Sequence, residues 1–538
     1  MASMTSELMP KASRREWVGL AVIALPCLLY SMDLTVLYLA VPHLTADLKP
    51  TSAQLLWISD IYGFLIAGSL ITMGTLGDRI GRRRLLLMGA TAFGIASVLA
   101  AFSTSAEMLI ATRALLGVAG ATLAPSTLSL IRNMFLDTQQ RTMAIGIWAT
   151  SFSVGGALGP LLGGIMLEKF WWGSVFLLGV PVMAMLLIVG PKLLPEFRDP
   201  NAGRLDITSA VMSLTAVLSM IYGLKRIAQD GVGPLPAAFI VVGIAIGVLF
   251  VGRQRRLADP FIDLRLFRAP AFSAALATNT LGIFVAFGTF LFTSQYLQLV
   301  LGFSPLVAGL WTLPSSLGFI VGSMAAPLLV RRFRPAYVMA GGLTLVAAGL
   351  LLMTQVEGER ALTLLVTGTV VLALGLSPVV TLGTDLIVGS APPERAGAAS
   401  SLSETGAELG GALGIAVLGS IGTAVYRGMM ADAIPQGLPV EAAHVARGTL
   451  GGALATAEQL PPPVGAELVS AARDAFSEGL ELTASIAAIV ALVTAAMAAI
   501  VLRGARPGGG AHSEPQRERN DAIAGVDTVF AGVAREEG

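Results

Sequence analysis

Charge is scarce in this chain. Asp, Glu, Lys and Arg make up 13% of its 538 residues, against about 25% in an ordinary soluble domain, while 54% are hydrophobic. Too little polar surface is left to cover a water-soluble fold, so the composition indicates an integral membrane protein. With 35 basic and 34 acidic side chains the formal net charge is +1. That balance creates no field to draw nucleic acid or an acidic partner. A single cysteine, Cys27, excludes an intramolecular disulfide. Three scattered histidines, His43, His444 and His512, offer no metal-ligand spacing. No nucleophile stands beside a base, so we expect neither an enzyme nor a bound metal or cofactor.

What is abundant is long apolar runs. Segments of about 18 to 28 residues, broken by charge or by Pro/Gly clusters, number fourteen. The first runs from Trp17 to Val41 without a cleavage site and reads as a transmembrane helix, not a removed signal peptide. With the N-terminus in the cytoplasm, most Lys and Arg fall on the cytoplasmic side, including 79–84, 253–256 and 331–334. This positive-inside pattern supports an even number of spans and places both termini inside. The region 427–480 reads as a long outside loop with short amphipathic stretches such as Glu467 to Phe476, divided by Pro461, Pro462 and Pro463. The Gly-rich, then charged, tail after Arg506 reads as disordered.

GGALG occurs at 155–159 and again at 410–414, and GFLIAG at 63–68 finds GFIVGS at 318–323 at the same offset of 255 residues. The two matches pair span 5 with span 13 and span 2 with span 10. They imply two six-helix halves with spans 7 and 8 inserted between them. The expected organisation is a cytoplasmic N-terminus 1–16, a six-helix bundle 17–192, two inserted helices 193–260, a second bundle 261–502 and a cytoplasmic tail 503–538. Such parallel halves resemble the architecture of major facilitator transporters.

Four motifs bear on chemistry. In GTLGDRIGRRRLL, between spans 2 and 3, glycines permit a tight turn, Asp78 can accept hydrogen bonds at a helix start and arginines can bind carboxylates. In GGALGPLLGG, 155–164, small residues let helices approach closely, and Pro160 frees a carbonyl beside the pliable Gly159. Asp33, Asp60 and Arg113 lie in apolar spans at one depth. Ionisable groups there cost about 2.5 to 3.5 kcal/mol each on insertion scales. Two readings stand for them: a structural ion pair, or carboxylates that change charge beside a cavity. Finally, SETGAELGGALG puts Glu404 and Glu408 at i and i+4 on one face of span 13. Glu404 reads as solvated near the cytoplasm, and Glu408 as the main acid of the second half. Asp206 and Asp385, near span ends, read as caps. Tyr30, Trp57, Tyr62, Trp148, Phe287, Tyr296 and Trp311 could line a cavity for cations through cation-π contacts.

These motifs carry a resemblance to the fourteen-helix drug:proton antiporters of the major facilitator superfamily, which include multidrug and quaternary-ammonium pumps. Gly74, Leu76, Asp78, Arg79, Gly81, Arg82 and Arg83 resemble the superfamily loop signature, in which the Asp caps a helix of the other half, and Gly77 belongs to the same conformational turn. Its partner here would lie at 394–399. Gly155, Gly159, Pro160, Gly163 and Gly164 resemble the antiporter signature, and we expect them to form a sliding seam between the halves, with Gly410, Gly411 and Gly414 as a second, proline-free copy. Asp33 fits the D-x-T-V-x-x-x-A-x-P motif and Arg113 with Gly117 the R-x-x-x-G motif. The stretches LAPSTLSLIRN and QYLQLVLGFSPLVAGL extend the likeness. The resemblance implies an all-α polytopic protein in a bacterial cytoplasmic membrane, working as a monomer without a cofactor. It would export lipophilic cations in exchange for protons, with Arg113 in proton coupling and Asp33 and Asp60 in cation recognition or protonation. Span 10 lacks the acidic residue that some members carry, which leaves divalent cations open. The alternatives are a narrow natural-product exporter and a non-transporting receptor or scaffold.

Overall fold

The computed structural model describes residues 11–504, apart from 49, 51, 199–205, 231–232, 258–259, 261, 263, 304, 392–395 and 435–439. The side chains of His43, Asp60, Pro160 and His444, the whole of His512 and the tail lie outside the described residues. Among the described residues every regular element is helical, and fourteen segments are long and apolar enough to cross a membrane. That is the expected outcome for a spanning backbone that must satisfy its own hydrogen bonds.

Spans 1 to 3 are Arg14–Leu48, Ser52–Ile80 and Arg82–Ala101. Span 4 is broken into Ala106–Gly120 and Leu123–Met134. The break follows from Thr122, whose hydroxyl bonds the Ala119 carbonyl at 2.7 Å, and from Pro125, which has no N–H to continue the ladder. Span 5 is Thr138–Lys169, and span 6 joins Ser174–Leu177 to Gly179–Leu193. The inserted spans 7 and 8 are Ile207–Asp230 and Pro234–Gln254. Span 9, Pro270–Gln295, ends in a π-helical turn, Tyr296–Val300. Spans 10 to 13 are Pro305–Leu329, Pro335–Met353, Ala361–Ser390 and Ala396–Ala433, and span 14 is Pro462–Val501.

One hydrophobic core runs through spans 1 to 6, and two others through the C-terminal half. The halves meet where span 2 packs on span 13 and span 5 on span 10. Span 7 lies against spans 2 and 13, while span 8 touches mainly span 7 and leaves most of its apolar surface outward. We call the end that carries Arg79 to Arg84 the basic end and its opposite the far end.

The far end differs from the sequence expectation. Pro461 to Pro463 do not divide a loop: Pro462 starts a continuous helix of 40 residues, so Glu467 to Phe476 forms the first turns of span 14. Proline is tolerated in a first turn, where its missing N–H has no helical partner anyway. Short helices do occupy part of 427–480, as Val440–Gly448 and Leu450–Ala457. Leu450, Ala453, Leu468 and Phe476 join the core of Tyr296 and Leu297, so this outer layer is packed onto the C-terminal half.

Candidate functional site

Near the middle of the bundle, spans 1, 4 and 13 bring Asp33, Arg113, Glu404 and Glu408 near one another, beside the backbone of span 2. Arg113 is wholly buried. Its Nη1 donates to Asp33 Oδ2 at 3.1 Å and its Nε to the Ile58 carbonyl at 2.7 Å. Its guanidinium lies 4.9 Å from the Tyr62 ring centre and 5.9 Å from that of Phe176. A planar cation held at its edge and over its face in this way is fixed in position. Asp33 keeps 16% of its side chain accessible, so it is paired without being sealed. Asp60 contributes no described side chain.

One turn before Asp33, Tyr30 donates from its hydroxyl to Glu408 Oε1 at 2.9 Å. This bond joins span 1 of the first half to span 13 of the second. Glu404, one turn earlier on span 13, is half-buried and lies within electrostatic reach of Glu408, Tyr30 and Cys27. It is therefore not the solvated end residue that sequence position suggested. The site presents a buried guanidinium paired to one carboxylate, and two further carboxylates on one helix face beside it. Such a set can attract a cation and can lose that attraction by taking up a proton.

The aromatic candidates divide. Tyr30, Tyr62, Trp148 and Phe152 form one cluster, with ring centres 4.8 to 6.3 Å apart for the pairs Trp148–Phe152, Tyr30–Phe152 and Tyr30–Tyr62. Trp148 Nε1 donates to Thr127 at 3.0 Å, which fixes its ring. Phe287 is 50% exposed and lies against Gly411, and Trp311 is partly exposed on span 10. Trp57 sits apart from the cluster, edge-on to Phe64, which in turn meets Tyr222 of span 7. Tyr296 is buried, with its hydroxyl bonded to the Val356 carbonyl at 3.2 Å.

The glycine motifs also pack otherwise than expected. Gly155 lies against the Leu28 carbonyl and Gly163 against Val36, both of span 1. Gly410 and Gly414 lie against the carbonyls of Thr280 and Phe284 of span 9, and Gly411 against Phe287. Each seam therefore joins two helices within its own half. A stripe of small residues specifies close approach but not the partner. Gly159 is buried in the same helix, and nothing lies within 4 Å of a Cβ placed on Gly164.

The contacts between halves are strongest at the basic end. Asp78 accepts from the N–H groups of Gly397 and Ala398 at 3.2 and 3.1 Å, at the start of span 13, and from Arg82 Nε at 2.8 Å. Gly74 packs on Gly397 and Ser401. Gly77 packs on Leu85, Arg79 closes span 2, and Gly81 takes φ 110°, a left-handed turn suited to glycine. A second contact was not foreseen. Arg141 Nε and the Thr142 hydroxyl, on span 5, donate to Asp385 of span 12 at 2.8 and 2.9 Å, all buried. Asp385 is thus an ion-pair partner across the halves and not a cap. The signal was present as opposite charges near apolar span ends at the same face. Asp206 does cap span 7, accepting from the Ser209 N–H at 3.2 Å. Ser323 of span 10, hydrogen-bonded to Thr381 of span 12 at 2.9 Å, is also within 3.1 Å of the Gly146 carbonyl of span 5.

Comparison with known proteins follows this geometry. A model described as Major Facilitator Superfamily matches residues 23–415. Multidrug efflux pump LfrA of Mycolicibacterium smegmatis is 46% identical, over 91% of this chain and 97% of its own. Methyl viologen resistance protein SmvA of Salmonella typhimurium is 35% identical over 86% and 93%, and the tetracenomycin C resistance and export protein of Streptomyces glaucescens 33% over 90% and 91%. The crystal structure of the human organic anion transporter MFSD10 aligns with a TM-score of 0.58 at 16% identity, covering 90% of this chain and 99% of that one. That likeness is one of fold.

Proposed function

Because the chain belongs to the major facilitator superfamily, and within it to the multidrug efflux family, we propose that it exchanges entering protons for leaving lipophilic cations. The family is one of transporters that work by alternating access, and the chain is a multi-pass membrane protein. The observation that carries the finer reading is the Tyr30–Glu408 hydrogen bond beside the buried Asp33–Arg113 pair.

In this reading the basic end faces the cytoplasm of a bacterial inner membrane. Asp33 is already neutralised by Arg113, so Glu408, with Glu404 a turn away, carries the charge that a drug cation seeks. The cation displaces the Tyr30 hydroxyl from Glu408 and rests against Tyr30, Tyr62 and Phe152. Loss of that bond uncouples span 1 from span 13 and favours rocking of the halves. With the contacts at Asp78 and Asp385 closing the cytoplasmic end, a proton arriving from outside neutralises Glu408 and the cation leaves outward; those contacts then open and the proton is released into the cytoplasm. The proton gradient supplies the energy, a single chain suffices and no cofactor takes part.

Ethidium efflux from proteoliposomes under an imposed pH gradient tests this. Wild type is expected to export ethidium only with the gradient, and Glu408→Gln to abolish export while the protein remains folded. Gradient-independent movement, or an active Glu408→Gln variant, overturns the exchange. Similarity to the tetracenomycin C export protein supports a second reading, a narrower natural-product exporter. No movement of any simple cation, with transport of tetracenomycin C, favours that one.

A further inference from the structure

The C-terminal half contains a cavity that the cation site does not use. It lies between spans 9, 10 and 12 and the last residue of span 11, holds about 130 Å³ of free space, and has no charged residue in its wall. Phe290, Trp311, Leu372 and Met353 supply its soft surfaces. Its hydroxyl groups are already occupied. Thr289 and Thr293 donate to the carbonyls of Val285 and Thr289, and Thr312, Ser315 and Thr369 to carbonyls three residues earlier in their own helices. With hydroxyl donors spent and charge absent, the wall offers an anion no donor and a cation no counter-charge, only neutral acceptor oxygens. It suits a neutral ring or the end of an alkyl chain, for which an uncharged, largely apolar space of this size is adequate.

Span 9 leads from the level of Glu408 to this cavity. Gly411 lies one turn beyond Glu408 on span 13, and Phe287 rests against it. Phe290, one turn further along span 9, is 60% exposed and forms the cavity rim. Gly406 and Gly410, which flank Glu408, pack on Thr280 of span 9. From that level the cavity begins about 9 Å away at Ala286 and extends to about 20 Å at Thr293, at 1.5 Å per helical residue. The π-helical turn Tyr296–Val300 closes its far end, with Leu297 in the wall.

We propose that this cavity is a second subsite, which holds the uncharged alkyl or aryl end of a transported cation whose charged head sits at Glu408. The inference rests on the cation-export reading above. It makes substrate preference a two-part property: charge is read at Glu408, and the length of the apolar tail is read in the C-terminal half. Neither part alone holds a substrate tightly.

A tail-length series tests it. Binding of butyl-, octyl-, dodecyl- and hexadecyltrimethylammonium is measured on purified wild type and on Thr369→Leu and Ala286→Phe, which fill the cavity from two helices. In wild type, affinity should rise once the tail reaches the cavity. Each filling variant should weaken the long-tailed compounds about tenfold, the worth of a few buried methylenes, and leave the butyl compound unchanged. Met353→Ala, which enlarges the space, should shift the preference toward bulkier tails. Equal affinity of wild type and both filled variants for every tail overturns the subsite, as does equal weakening of short and long tails. If wild type binds none of the series, the cation reading itself fails and the subsite with it.

Discussion

In the N-terminal half a guanidinium and a carboxylate neutralise each other 3.1 Å apart, whereas in the C-terminal half two carboxylates share one helix face and Glu408 takes its hydrogen bond from across the molecule. The scaffolds are alike: Gly155 meets a span 1 carbonyl and Gly414 a span 9 carbonyl in the same manner. Helix approach is a geometric requirement of both bundles, and glycine meets it in both. The buried chemistry has no such requirement and differs. One half carries a permanent positive charge held by a partner, and the other carries acids whose charge can change. On the proposed exchange, that asymmetry is what a cation and a proton compete for.

The largest effect expected from breaking this contrast lies at Arg113. Arg113→Ala leaves the partly accessible Asp33 without its partner and empties a wholly buried site; it should lower stability by about 2 to 3 kcal/mol, seen as a clear fall in the unfolding temperature in detergent. Glu408→Gln is expected to unfold at nearly the wild-type temperature, because it retains an acceptor for Tyr30. If both variants lose stability equally, the halves do not differ in kind.

The likeness of the seams is tested next. Gly155→Leu and Gly414→Leu each force a side chain against neighbouring backbone, at a cost of about 1 to 3 kcal/mol or more. Gly164→Ala, inside the same helix as Gly155 where the space is open, should instead stabilise slightly, by up to about 1 kcal/mol. Thermal unfolding of the three variants decides whether each seam is a packed contact within its half.

Asp385→Asn weakens a charge-assisted contact to Arg141 and Thr142, worth about 1.5 to 3 kcal/mol. The basic end should then open more often, raising the accessibility of cysteines introduced near Gly146 to a membrane-impermeant reagent. The smallest effect is at Asp206, before span 7. Burial opposes ionisation there, but the hydrogen bonds from Ser209 and the Arg253 guanidinium hold its carboxyl below the usual carboxylate range. Its contribution is therefore present above about pH 4 and lost as pH falls through the lowered folded value. Asp206→Asn should remove about 0.5 kcal/mol at neutral pH and converge with wild type in stronger acid.

Hydropathy made the fourteen spans legible because lipid demands continuous apolar helices. The same measure missed the start of span 14, since Glu467 to Phe476 is polar enough to resemble a loop and nothing local shows that it packs on the turn after span 9. Asp33 and Arg113 were legible as costly charges at one depth. Tyr30 could be read only as one aromatic among many, because its partner lies 378 residues away. Asp385 was misread because position near a span end suits a cap as well as a buried ion pair. The glycine seams were recognisable, but their partners depend on the tertiary arrangement of span 1 and span 9.

The central claim is that cation and proton compete for one carboxylate. Its most direct test is proton release on adding tetraphenylphosphonium to purified protein in weak buffer. The account predicts that binding releases protons from wild type, less so as the starting pH rises, and releases none from Glu408→Gln. Tight binding to wild type without proton release at any pH would contradict it.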